Sequence, residues 1–140
     1  MKTAYAALTL ALALAIPGTA LSQSTMTSAN AEQLLDAYTA YISPQDMVNS
    51  NGQRLTQPWQ IIRQDRANFH RFGIRDDWDE TDSFFASADN RVAAEDMIRR
   101  GSITSEAAND ILRGGALIHV EIYGRGNTGY SLRVTTLGRR

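Results

Sequence analysis

Between Leu117 and Thr136 the side chains alternate in character with a period of two. Ile118, Val120 and Ile122 are interleaved with Leu117, His119, Glu121 and Tyr123. After the glycine-rich GRGNTG run from Gly124 to Gly129, Tyr130, Leu132, Val134 and Thr136 are interleaved with Ser131, Arg133 and Thr135. Successive side chains of a strand point to opposite faces, so two such runs around a tight turn predict an antiparallel β-hairpin. Pairing Ile122 with Leu132 keeps both faces consistent and sets Glu121 opposite Arg133. A slip of one residue would turn half the charges inward. An isolated hairpin is marginal in water. This one must pack on helices or on a third strand, for which Met47 to Leu55 is the expected place.

The residues before the hairpin carry the helical period. Asn30 can cap a helix to about Ile42, with Leu34, Leu35, Tyr38, Tyr41 and Ile42 on one stripe. Ser43-Pro44-Gln45-Asp46 suggests one short turn. Gln57 to Phe72 reads as the central helix, with Pro58 near its start and Gly73 just past its end. Ile61, Ile62, Phe69 and Phe72 fall within an arc of about 100°, the width of a core-facing stripe. Asp89 or Asn90 can cap a helix to Arg100, with Ala94, Met97 and Ile98 inward and Gly101 at its end. Thr104 can cap another that ends at Gly114.

Two short helices joined by a glycine-containing turn and followed by a hairpin, over Asn90 to Leu137, resemble a winged helix-turn-helix in layout. That resemblance implies a second helix reading DNA and a hairpin wing. The helix in the reading position, SEAANDILR, sets Glu106 and Asp110 against one Arg113. Facing phosphates, that is the wrong sign. The expected fold is therefore α+β, three to four helices followed by a C-terminal antiparallel hairpin, with a winged-helix-like layout as the alternative. No nucleic-acid partner is expected.

The opening of the chain has a different character. Lys2 is its only charge, Ala4 to Ile16 is apolar but for Thr9, Pro17-Gly18 breaks the run, and Ala20-Leu21-Ser22 places small residues before Gln23. Charged start, apolar middle and small-residue exit define a secretory signal peptide. The apolar run is short of the ~20 residues needed to cross a bilayer. The sequence thus divides into a signal peptide over 1–22, a polar start over 23–29 and one domain over 30–140. An exported chain without cysteine suits a bacterial periplasm or medium better than a small disulfide-bonded toxin fold. No stable membrane insertion is expected after cleavage.

Several residues could carry chemistry. Asp65 falls inside the apolar arc of the central helix, where a carboxylate must be paired, hydrogen-bonded or protonated. It is either one half of a buried pair, with Arg54 or Arg91, or a general acid or base together with His70 or His119. His70 falls on the polar side of the helix. The five acids Asp76, Asp77, Asp79, Glu80 and Asp82 offer hard oxygen ligands. They lack the glycine and bidentate glutamate of a calcium loop, so they are expected to lie beside Arg63, Arg71 and Arg75 instead. Trp78, set among these acids, is a candidate for a recognition surface together with the three arginines. There is no GxSxG elbow, phosphate loop or zinc spacing. No cofactor and no metal are expected. These features favour a non-catalytic module binding a protein or cell-envelope component; the alternative is a small periplasmic hydrolase or ligand-binding enzyme using Asp65 with a histidine.

Overall fold

A computed structural model describes residues 31–140. The expected signal peptide, the polar start over 23–29 and the Asn30 cap lie outside the described residues. Over the described residues the fold is mixed α+β, with three α-helices and a four-stranded sheet. Its elements are β1 (Gln33–Ile42), α1 (Pro58–Ala67), a π-helical turn (Asn68–Phe72), α2 (Ala88–Arg100), β2 (Ser102–Ile103), α3 (Ser105–Arg113), β3 (Ala116–Arg125) and β4 (Thr128–Arg139). The sheet order is β1-β3-β4-β2.

The hairpin is β3–β4. Ile122 pairs with Leu132 and Glu121 with Arg133, whose guanidinium reaches the carboxylate at 3.3 Å. The departure from expectation is its neighbour. Gln33–Ile42 is a strand, not a helix, and pairs antiparallel with β3 from Gln33 to Ile42, with a bulge at Leu35. The residues fit both periods. Tyr38, Ala40 and Ile42 alternate inward with Thr39 and Tyr41 between them, and this tyrosine, threonine and isoleucine content favours a pleated surface. Pairing with β3 decides the matter. The Met47 to Leu55 segment supplies only an isolated bridge, Val48 to Arg54.

β3 therefore lies inside the sheet and the hairpin is not a free wing. The winged-helix-like layout fails further because β2 runs parallel to β4. Gly101 makes that pairing possible: a Cβ there would sit 1.8 Å from the Leu132 carbonyl oxygen.

α1, α2 and α3 supply Ile61, Ile62, Ala94, Met97, Ala107 and Ile111 to the core, against Tyr38, Ala40, Ile118, Val120, Ile122, Leu132 and Val134 of the sheet. α1 begins where Gln60 turns its side-chain oxygen back to the N–H groups of Thr56 and Gln57, at 3.1 and 3.2 Å. α2 starts earlier than expected, directly after Ser87. α3 has the expected cap, the Thr104 hydroxyl accepting from Ala107 N–H at 3.1 Å. After Ala67 the central helix widens by i→i+5 bonding, Gly73 N–H to Asn68 O. An extra residue in a turn rotates the side chains beyond it by about 100° around the axis. Phe72, expected in the core, is consequently 52% exposed, and Phe69 stays buried.

Among the described residues no helix is long and apolar enough to cross a membrane.

A candidate functional site built on a buried charge network

Asp65 is buried, as its place on the α1 stripe requires. Its partner is neither Arg54 nor Arg91. Arg54 donates to the Leu112 carbonyl at 3.0 Å, and Arg91 donates to the carbonyls of Phe85 and Ala86. The partner is Arg66, the next residue, whose Nε lies 2.7 Å from Asp65 Oδ2. Neighbours in a helix do not normally face each other. Arg66 reaches its partners by being wholly enclosed: its guanidinium carbon sits 4.2 Å from the Tyr38 ring centroid and 4.6 Å from that of Phe69. Two aromatic faces around a desolvated cation replace part of its lost hydration.

Nη1 of Arg66 donates to the Glu80 carbonyl at 3.0 Å and to Asp82 Oδ2 at 3.1 Å. Asp82 is buried as well. It accepts from Phe85 N–H at 2.6 Å and lies 2.8 Å from His70 Nε2. The π-helical turn rotates His70 off the exposed side and onto Asp82. Asn68, in the same turn, donates to Asp46 Oδ1 at 2.8 Å, and Asp46 in turn accepts from the Ser43 N–H and hydroxyl.

One buried cation thus serves two buried carboxylates. Burial pushes the Asp65 carboxyl up to about 8; the charge of Arg66 pulls it back only in part, and the nearby Asp46 adds to the rise. Burial likewise raises Asp46, against the pull of its Asn68 and Ser43 bonds. Tyr38 is raised well above its ordinary value by burial.

Asp65 and His70 belong to the same network and do not touch; Arg66 and Asp82 stand between them. His119 is elsewhere. It pairs with Thr39 and Thr135, positions that alternate away from the helix-facing Tyr38, Val120 and Val134.

The acidic run does not lie in ion pairs with Arg63, Arg71 and Arg75. Arg71 and Arg75 stack over the Phe72 and Phe69 rings, and Arg63 is exposed on α1. The acids serve the free edge of β1 instead. Thr39 N–H donates to Glu80 at 2.7 Å, Tyr41 N–H donates to Asp79 Oδ1 at 3.0 Å, and Glu80 N–H returns a bond to the Thr39 carbonyl at 2.9 Å. Asp79 also accepts from Asp76 N–H. From the strand side, Asp36 accepts from the Ser83 N–H and hydroxyl and from Phe84 N–H. Burial alone would raise Asp36; these bonds outweigh it and leave the carboxyl lowered. An exposed strand edge is a template for unwanted pairing, and side-chain carboxylates consume its donors. Asp77 is exposed. Among the described residues no three His, Cys, Asp or Glu side chains are grouped to hold a metal ion.

Trp78 is half exposed within this run, edge-on to Tyr41 with centroids 5.4 Å apart and under the Arg140 guanidinium. The residue missed by sequence reasoning is Arg66. Its one local signal is adjacency to Asp65; its other partners, Tyr38, Glu80 and Asp82, come from distant segments.

Comparison with known protein families, curated proteins and solved structures returns no match.

Proposed function

We propose that this chain is a small exported, non-catalytic module that binds a protein or cell-envelope component in the bacterial periplasm or medium. The observation that carries this reading is the enclosure of Asp65. A general acid or base must be within hydrogen-bond reach of a substrate proton. Asp65 is 2% exposed and bonded to an arginine that is 0% exposed. Of the carboxylates picked out in the sequence, Asp65 and Asp82 hold the core and Asp79 and Glu80 hold the β1 edge. The apolar opening residues support export. The reading includes no cofactor, no nucleic-acid partner and no stable membrane insertion.

One contact favours the rival, a hydrolase or ligand-binding enzyme: the His70–Asp82 approach at 2.8 Å resembles an imidazole oriented by a carboxylate. Asp82 is already committed to Arg66 and Phe85, and Asp65 meets no histidine.

Crosslinking in the envelope fraction with the exported protein as bait tests the reading. The expected result is a reproducible partner, captured equally by folded wild type and Asp65→Asn. Repeated absence of capture, together with turnover of a small substrate that Asp65→Asn abolishes, would overturn it.

A further inference from the structure

Where α3 ends, a second set of arginines gathers in the open. Arg54, from the loop before α1, Arg113, the last residue of α3, and Arg139, the last of β4, line a cleft of about 400 Å³ together with Tyr41, Met47 and Val48. Gly114 and Gly115 form its wall. Both have positive φ, 76° and 69°, a backbone conformation that favours glycine, and the Met47 sulfur packs close against Gly114.

No carboxylate of the described residues lies within 4.0 Å of any of these three guanidinium groups. Capping explains part of the arrangement. Arg54 donates to Leu112 O at 3.0 Å and Arg139 to Gly114 O at 3.1 Å, satisfying carbonyls at the negative end of α3. Each bond uses one of the five N–H donors of its guanidinium. The remaining donors, and all of Arg113, have no such employment. Three like charges held around one concavity repel each other unless an anion joins them.

The cleft is not wholly polar. Pro44, Met47 and Val48 give it an apolar side, and Tyr41 continues it onto the exposed Trp78, over which Arg140 stacks. Tyrosine, tryptophan and arginine are the side chains that dominate binding energy at protein interfaces. Planar guanidinium forks match carboxylates in two-point contacts. A bare inorganic anion would use the arginines and leave the apolar side and the aromatic ledge without a role.

We propose that the Arg54–Arg113–Arg139 cleft docks an acidic peptide segment of a partner protein, one carboxylate meeting the guanidinium groups and a neighbouring apolar side chain lying on Tyr41 and Trp78. This rests on the binding-module reading and names the chemistry of the partner.

The probe is a displayed library of random heptapeptides, panned on the exported protein and in parallel on Arg113→Glu. Arg113 is exposed and makes no hydrogen bond that the fold needs; Arg113→Gln, which is neutral at the helix end, is the second variant, and thermal melting confirms that each folds. The expected result is enrichment of peptides with Asp or Glu beside an apolar residue on the wild type alone. A fluorescein-labelled peptide from that set should bind at least tenfold more weakly to either variant, and more weakly as salt is raised. Absence of acidic enrichment, or equal binding by Arg113→Glu, overturns the proposal. So does Arg113-dependent retention on phosphatidylglycerol vesicles without peptide enrichment, which would assign the cleft to lipid phosphate. An envelope partner crosslinked equally by wild type and Arg113→Glu overturns the cleft while leaving the module reading standing.

Discussion

Arg66 and Arg113 are the same side chain in opposite surroundings. Arg66 is enclosed between two aromatic rings, with Asp65 on its Nε and Asp82 on its Nη1. Arg113 stands in solvent at the rim of a cleft with two other arginines and no acid within reach. The first has given up water and must have its partners; the second keeps its water and is free to exchange it for a ligand. Charge deep in this molecule holds the fold, and charge at the end of α3 is available for binding. A surface ion pair adds little, whereas removing one member of a buried pair leaves an uncompensated charge.

The largest effect expected from this contrast comes from Arg66→Met. Methionine keeps much of the volume and loses the charge, leaving Asp82 with His70 and Phe85 N–H alone. Denaturant unfolding should show a loss of ~3–5 kcal/mol. Arg113→Gln should stay within about 0.5 kcal/mol, as exposed substitutions do. If the two variants unfold alike, the division between structural and available arginines is gone.

The next effect is a slope with pH. The Asp65 carboxyl titrates near 8 in the folded chain against an ordinary 3.8. Across that window the folded chain holds a proton that the unfolded chain has released, so the contribution is complete below about pH 4 and is lost as pH rises toward 8. Asp46, raised for the same cause, adds to the trend. Melting temperature should fall with rising pH in the wild type and fall less in Asp65→Asn. A wild type that gains stability over the same range would show Asp65 ionised and its network charged.

The features legible in the sequence were local ones. Alternation around a glycine-rich turn set the β3–β4 register, and Thr104, Gly101 and Gly114 marked helix ends by residue type alone. The apolar residues of Gln33–Ile42 satisfy a helical stripe as well as a strand, and only pairing with β3 separates the two. The burial of Asp65 came directly from its place on α1, but its partner did not: Arg66 lies on an adjacent helix position and is drawn inward by Tyr38, Glu80 and Asp82. A uniform helical pitch puts His70 outward and Phe72 inward, and the π-helical turn breaks that pitch. The cleft was illegible for a stricter reason. Its three arginines come from three segments, and nothing in the spacing of Arg54, Arg113 and Arg139 brings them together.

The smallest effect separates what the ring of Tyr38 does from what its hydroxyl does. The ring underlies Arg66 and meets Phe85 edge-on at 6.0 Å, while the hydroxyl is buried with no hydrogen-bond partner among the described residues. A buried polar group without a partner costs roughly 1–3 kcal/mol, and deleting it with the shape preserved is neutral or favourable. Tyr38→Phe should therefore unfold at the same temperature as the wild type or slightly above it, and keep the pH slope. A loss beyond about 1 kcal/mol, the net worth of an ordinary hydrogen bond, would mean that the hydroxyl is bonded to one of the network's carboxylates. Asp65 would then have a donor besides Arg66, and the case for holding it neutral near pH 7 would weaken with it.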